Sequence, residues 1–560
     1  MPSLPSVAMP SKVRWAARLV GAVCIAFVRT LAQNADMSGE PTSGDLLMLQ
    51  VMLQERPIGT MSVLPPRLDD LLTRPTTLDT FQRYVAVYYA PVGDSTPMAF
   101  QLAQWHRGRF ALGAMRDSVL AFRLDAAAYS RGGMLHERSA DALAAGRLSV
   151  RALGQAGHWS FILDLANGAV FRGVPERIAL TDPDMARAPR LFIDQRTFYD
   201  RAIGAIQYQG AFGRLRLGRD VIGWGYSPLG GGLLLSVGQP LLDHVLADVH
   251  YGVFRFSYLH AAAIGTDTAG ASVPSKFLAA HRLQVDLTED LSLAVSDAIV
   301  YSGRGLDLGY LNPLGFYVSS GMLSSERNAN DNSLLMLDAA WRPLKGTLLY
   351  GALLADDIGF STLGDTSVRG NNNKYAWQGG LAQLVRIGTA PLLLIGEYVR
   401  INPFVYAHRT MVNSWTSQGE VLGSLQQPNS DRWTIAATLW LAPRLRIAAR
   451  ADYLRWGENW LDSTGQIVTV LLPGTTIRVP VGNVGGDALR GDGDVLPEPF
   501  AVGNRFLRGN VSHTRRIELW CSLEPWTNVF LDVRATYTRR TGGNAPVDRW
   551  WWWIQLRLGY

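Results

Sequence analysis

The sequence predicts an all-β membrane protein, an outer-membrane antiparallel β-barrel of about eighteen strands with a small N-terminal helical region. Three observations predict it. Segments that alternate apolar and polar residues recur along the chain, the connections between them alternate between short and long, and apolar content is high without long apolar runs. The last segment shows the alternation most plainly: Trp552, Ile554, Leu556, Leu558 and Tyr560 take every second position, with Gln555, Arg557 and Gly559 between the last of them. The segment before it sets Leu531, Val533, Ala535 and Tyr537 against Asp532, Arg534, Thr536 and Thr538. Each reads as a strand with one apolar face, and an aromatic C-terminal residue suits the signal read by the barrel-assembly machinery during insertion.

Composition supports this class. The chain is 48% hydrophobic and 10% aromatic, only 18% charged, and holds 56 glycines. Beyond residue 32 no run reaches the roughly 18 apolar residues that a spanning helix needs. Apolar residues spread at short period suit a sheet that closes on itself, because lipid offers no water to a free backbone edge.

Taken in order, Lys12, Arg14 and Arg18 precede an apolar core from Leu19 to Val28, followed by Thr30-Leu31-Ala32. That is the pattern of a signal peptide over residues 1–32, cut near Ala32. Cys24 sits in a poor lipobox, so no lipoprotein is expected. Removing Lys12, Arg14, Arg18 and Arg29 lowers the formal charge from +6 to +2. The basic balance therefore belongs largely to the leader and gives no argument for nucleic acid. Cys521 is left alone, which rules out an internal disulfide framework.

Residues 33–116 carry helical spacing: Leu46, Leu47, Val51 and Leu53, then 67–74, then Leu78, Phe81, Val85 and Tyr88 before Pro91. We expect a periplasmic cap or plug, too short for an enzyme domain of ordinary size. The barrel is expected over 117–560. Strand signals fall at 117–128, 147–155, 157–167, 198–210, 213–222, 243–251, 253–263, 277–287, 291–302, 332–342, 346–356, 375–387, 390–402, 432–441, 444–456, 512–523, 527–539 and 550–560. Short turns at Thr288-Glu289-Asp290, Pro343-Leu344-Lys345, Gly388-Thr389, Ala442-Pro443 and Glu524-Pro525-Trp526 alternate with long loops near 303–331, 357–374, 403–431 and 457–511. In bacterial barrels the short turns are periplasmic and the long loops extracellular, which places the helical region and the C terminus on the periplasmic side.

Between Phe198 and Phe360 the sequence resembles the outer-membrane capsule assembly Wzi family. The residues that carry the resemblance are Leu217-Gly218-Arg219, Gly223-Trp224-Gly225, the stretch from Leu229 to Ser236, Phe254 to His260, Ala280-His281-Arg282-Leu283, Ser296 to Tyr301, Tyr310-Leu311-Asn312-Pro313-Leu314 and Asp356-Asp357. About a third of the chain is covered in this way. The resemblance implies an eighteen-stranded barrel with a periplasmic helical bundle, a surface lectin that anchors capsular or extracellular polysaccharide. Outer-membrane lipid is expected as a surrounding partner, with a monomeric state and no cofactor. It transfers no individual sugar contact.

Arginines on the polar faces are the candidates for ligand contact. Arg214, Arg216 and Arg219, with Arg255, Arg282, Arg444, Arg446 and Arg450, would line the lumen and suit an acidic glycan, since a guanidinium holds a carboxylate bidentately. The alternative is that they pair with Asp220, Asp286, Asp452 and Asp532 and stiffen the interior. The longest loop adds Trp460, with Phe500, Asp492, Asp494 and Glu498. An aromatic face packs on sugar C–H groups, and carboxylates accept hydroxyl bonds. Asp492-Gly493-Asp494 lacks the spacing of an EF-hand loop, so no metal site is assigned. The run Trp550 to Trp553 is expected at the membrane interface, with parity dividing its rings between lipid and lumen. His136-Glu137 has no second histidine, no G-x-S-x-G elbow occurs, and Gly230-Gly231-Gly232 lacks a phosphate-loop Lys-Ser/Thr, so no catalytic residue is assigned and no enzyme is expected. The rival readings are a porin or substrate-specific channel and, behind it, a surface lipase or protease barrel.

Overall fold

The alternation resolves into one sheet that closes on itself. The computed structural model describes residues 60–61, 113–116, 120–173, 190–193, 196–220, 222–229, 231–238, 240–267, 271–315, 317, 331–357, 374–388, 390–424, 426–442, 445–491, 505–526 and 529–559. Among them eighteen strands form the barrel: β1 (Leu120–His136), β2 (Ala140–Ala156), β3 (Trp159–Arg172), β4 (Arg196–Gln209), β5 (Gly213–Asp220), β6 (Leu242–Tyr251), β7 (Phe254–Thr266), β8 (Ser272–Asp286), β9 (Leu291–Ser302), β10 (Asn332–Trp341), β11 (Thr347–Asp357), β12 (Lys374–Ile387), β13 (Ala390–Ile401), β14 (Ser430–Ala442), β15 (Leu445–Glu458), β16 (Asn510–Trp526), β17 (Val529–Gly542) and β18 (Val547–Gly559). Successive strands pair antiparallel, and β18 returns to β1 through the register Ile554↔Gly132.

The expected leader, nearly all of the expected helical region, Arg444, Asp492 to Asp494, Glu498 and Phe500 lie outside the described residues. The parts of 33–116 that are described are strand: Thr60–Met61 pairs with Gly223–Trp224, and Gly113–Arg116 adds to the first residues of β1.

Side-chain parity separates the two faces. On β9, Leu293 and Val295 are exposed outward, while Ser292, Ala294 and Ser296 are buried inward. On β5, Leu215 and Leu217 are exposed, with Arg214 and Arg216 buried between them. On β18, Ile554, Leu556 and Leu558 face out, and Trp551, Trp553 and Arg557 face in. The outer belt is thus apolar and the interior polar, the arrangement that lipid outside and a wet or packed lumen inside require. The four Trp550 to Trp553 rings divide accordingly, and Trp550 stacks on His136 at 5.4 Å.

The eighteen strand signals correspond one to one with these strands, and the largest difference is at the first hairpin. Residues 129–146, which lie between the first two strand signals, continue β1 and β2 around a three-residue turn at Glu137–Ser139. Small residues hide the strand signal there: Gly132, Gly133, Ala142, Ala144 and Ala145 give little apolar alternation. Gly133 has a specific reason to be small, because a Cβ at that position would lie 2.2 Å from the Trp552 carbonyl oxygen across the seam.

Inside the barrel, the connections β5–β6 and β13–β14 fold inward and fill one half. Trp224, Leu233, Leu234 and Leu235 from the first pack with Val405, Tyr406, Trp415 and Leu422 from the second, against inward residues of β6–β13. Hydrogen bonds lock the two connections together: Trp415 Nε1 donates to the Leu234 carbonyl at 2.7 Å and the Tyr406 hydroxyl to the Leu233 carbonyl at 2.6 Å. Lys276 of β8, fully buried, donates to the carbonyls of Ser414 (2.7 Å) and Thr416 (2.6 Å). Trp415→Ala is expected to cost about 3–5 kcal/mol, as for deletion of other large buried side chains, and to make the β13–β14 connection cleavable by added protease. Urea unfolding in detergent with limited proteolysis checks both; an unchanged midpoint and cleavage pattern would contradict this account of the plug.

Candidate functional site

The other half of the lumen is lined differently. Inward positions of β14–β18 carry charge and indole rings in register, with Arg450 opposite Glu518 and Asp452 opposite Arg516. Opposite charges directly across a strand pair stabilise it. Arg450 Nε donates to Asp452 at 2.9 Å, Arg516 to Glu518 at 2.8 Å and Arg534 to the other Glu518 oxygen at 2.7 Å. Thr434 completes Asp452 with a 2.6 Å hydroxyl bond. Aromatic faces lie among these groups: the Arg446 guanidinium stands 4.3 Å from the Trp520 ring centre, and that of Arg534 stands 5.5 Å from Trp551. These arginines are only partly covered, with side chains 31% exposed at Arg450 and 41% at Arg516.

Between this wall and the plug stands Glu397 of β13. It accepts from Tyr350 Oη and Gln378 Nε2, both at 2.9 Å, and from Ser227 Oγ of the β5–β6 connection, with Arg432 at 3.8 Å. A buried carboxylate stays satisfied through such a set of donors. Gly380 makes the set possible. It sits across from both Tyr350 and Glu397, and the phenol crosses the space a side chain would fill. A Cβ there would lie 2.3 Å from the Tyr350 ring.

The arginines singled out in the sequence have divided locations. Arg446 and Arg450 belong to the partly covered wall. Arg214 and Arg216 are buried on β5, paired with Asp248 and Asp220. Arg282 is buried and held bidentately by Asp338 of β10, at 2.7 Å for the Nη2 bond, and not by the nearer Asp286. Asp286 accepts instead from Gln284 and Ser292. The ring of Tyr226, from the β5–β6 connection, lies 5.4 Å from the Arg282 guanidinium, and burial raises the pKa of its phenol. Arg255 is half-buried near the short-turn end, opposite His250 and Gln284. Arg219 is a correction: it shares the outward parity of Leu215 and Leu217, and bonds Asp243 at 2.7 Å on the exterior. Its odd spacing from Arg216 explains this, since one residue in a strand reverses the face.

Trp460 lies away from the wall, in the β15–β16 loop. Its backbone is held by Gly482 and Val468, and Arg508 stands 5.5 Å from its ring. At the tip of the same loop, the Thr464 hydroxyl and backbone donors hold the Asp462 carboxyl below its usual range. Trp520, Arg516 and Glu518 are site residues that the candidates from the sequence lack, and Arg534 and Trp551 appear there only in the alternation and the indole run, although the inward parity of all five on β16–β18 is readable from the sequence.

Gly380→Ala is expected to displace Tyr350 and destabilise the barrel by about 1–3 kcal/mol, the usual cost of overpacking. Tyr350→Phe, which keeps the ring and loses one bond to a charged group, is expected to cost about 1.5–3 kcal/mol. Urea unfolding checks both, and an alanine variant as stable as the parent contradicts the crossing geometry.

No family model and no curated protein matches the chain. Among solved structures it is similar to Wzi, an outer membrane protein involved in group 1 capsule assembly in Escherichia coli and a carbohydrate-binding β-barrel, with 13% identity, a TM-score of 0.56, and coverage of 94% of this chain and 99% of that one. It also overlaps OprD of Pseudomonas aeruginosa at 12% identity, over 78% of this chain and 95% of that one, with a TM-score of 0.38. OpdO of the same organism overlaps at 11% identity, over 78% and 95%, with a TM-score of 0.41. The two Pseudomonas overlaps are too weak to carry an argument. The likeness to Wzi extends over nearly the whole of both chains, and what it establishes is the fold: a closed antiparallel β-barrel of eighteen strands, of the outer-membrane type.

Proposed function

We propose that this chain is an outer-membrane protein that binds or anchors an acidic surface polysaccharide in capsule or exopolysaccharide assembly, with no enzymatic activity of its own. The observation that carries the reading is the wall of partly covered arginines and indole rings on β14–β18, in a fold shared with a carbohydrate-binding barrel. Indole faces pack against sugar C–H groups, and guanidinium groups exchange their present carboxylate partners for uronic carboxylates bidentately. Arg446, Arg450, Arg516 and Arg534 are the arginines assigned to this role, with Trp520 as the stacking face. Arg214, Arg216 and Arg282, buried with aspartates, are assigned to the structural frame.

The apolar outer belt supports placement in a lipid bilayer, with the short turns periplasmic and the long loops, including Trp460, outside the cell. Residues 1–32 serve as the leader that delivers the chain, the barrel-assembly machinery inserts it, and it functions as a monomer. A channel is the second reading. The inward-folded β5–β6 and β13–β14 connections weigh against it, because they fill the lumen along β6–β13.

Replacing Arg450 and Arg516 together with Ala is expected to weaken binding of a uronic-acid polysaccharide at least tenfold, at about 1.5–3 kcal/mol for each charged hydrogen bond, while a neutral glucan is unaffected. Surface plasmon resonance with both glycans measures this; equal loss for both, or none, sinks the assignment. In planar bilayers the protein is expected to conduct far less than an open porin, and porin-sized conductance would favour the channel.

A further inference from the structure

The outward face of β13–β17 changes character near the long-loop end. Two rows of cross-strand partners run around it. The upper row is Arg400, Asp431, Arg455 and His513; the lower row is Tyr398, Trp433, Tyr453, Arg515 and Arg539. Immediately toward the short turns, the same face carries Ile435, Ile517 and Leu519, each more than half exposed. Cations therefore crown the apolar belt where a bilayer would change from acyl chain to headgroup.

The charges do not balance. Asp431 is occupied, accepting from Arg455 at 2.9 Å and Tyr398 at 3.1 Å. Arg400 is held between rings, 4.6 Å from Trp377 and 3.6 Å from Phe506. Asp548 lies opposite Arg539 and beside the Tyr537 hydroxyl. Arg515 and Arg539 stand directly across from each other, both exposed. Like charges at opposed positions destabilise a strand pair unless an anion lies between them. Among the described residues no carboxylate is in ion-pair contact with Arg515. Elsewhere on the outer face, the Arg219–Asp243 pair closes on itself and leaves no such demand.

We propose that Arg515 and Arg539 bind the phosphate of a membrane lipid headgroup on the outside of the barrel. This rests on the reading of the chain as an outer-membrane protein, and the long-loop end points to a phosphorylated glycolipid of the outer leaflet. Two facing guanidiniums match the oxygens of a phosphate monoester, and the belt below receives the acyl chains.

The test uses the full chain folded into phosphatidylcholine vesicles with and without lipopolysaccharide, followed by detergent extraction and native mass spectrometry of the retained lipid. Insertion is monitored separately by heat-modifiable migration. The parent is expected to retain about tenfold more lipopolysaccharide than the Arg515→Gln, Arg539→Gln double variant, and Arg515→Lys to lie between them. Enzymatically dephosphorylated lipopolysaccharide is expected to lose the difference, and millimolar inorganic phosphate to leave it in place, since the site takes its anion from the bilayer. Equal retention by inserted parent and double variant overturns the lipid site alone. Loss of uronic-acid polysaccharide binding in the double variant, with lipid retention unchanged, reassigns the arginines to the glycan and overturns it too. Failure of the parent to insert overturns the outer-membrane reading and this one together.

Discussion

Everything in this fold depends on one constraint: a backbone facing lipid has no water to satisfy its N–H and C=O groups. Eighteen strands meet it by pairing in sequence order and joining the last to the first, which leaves no edge in the barrel. The closure then dictates side-chain chemistry. Each strand presents mainly apolar residues outward along the belt, so most polar residues within that belt are driven to alternate positions on the inside. The arginine-rich interior is a result of the period-two geometry before it is anything else.

Charge placed inside must be compensated, and the structure uses two solutions. Between β6 and β13 the loops come inward and build an apolar core, and buried charges there are held by enclosed partners, Arg282 by Asp338 and Lys276 by the carbonyls of Ser414 and Thr416. Along β14–β18 no comparable core forms among the described residues, and Arg450, Asp452, Arg516, Glu518 and Arg534 compensate one another while remaining partly covered. The difference underlies the proposed division of the lumen into a structural side and a ligand-binding side, because a partly covered ion pair exchanges partners at far lower cost than an enclosed one.

Much of this was legible in the sequence, and the failures have physical causes. The class, the strand count and the alternation of loop lengths followed from period-two patterning, which is strong where outward residues are large, as at Ile517 and Leu519 or Ile554 and Leu556. It fades where glycine and alanine occupy the same role, which is why the first hairpin carries no strand signal over 129–146. The face of an arginine is readable by counting, and the odd offset of Arg219 from Arg216 already puts it on the outer face. Its partner is not readable in this way. Arg282 bonds an aspartate 56 residues away on a strand two further round the barrel, and only the assembled register brings them together. The inward packing of the loops left no trace at all, since Trp415 and Leu234 meet across the lumen from connections far apart in sequence.

The seam between β1 and β18 has a consequence for how such a shell forms. Every other barrel pairing joins strands that follow one another in the chain, whereas the seam brings Ala127 beside Gly559. Its loop-closure entropy is the largest in the sheet, and its contacts come after nearly the whole chain is in place. The apolar core along β6–β13 lies diametrically opposite. Among the described residues the half along β6–β13 is held by a large interior core, while the seam half relies on its strand ladder, a few ion pairs and the small cluster of Leu135, Leu143, Trp551 and Trp553, so the shell has a keel on one side and a zipper on the other.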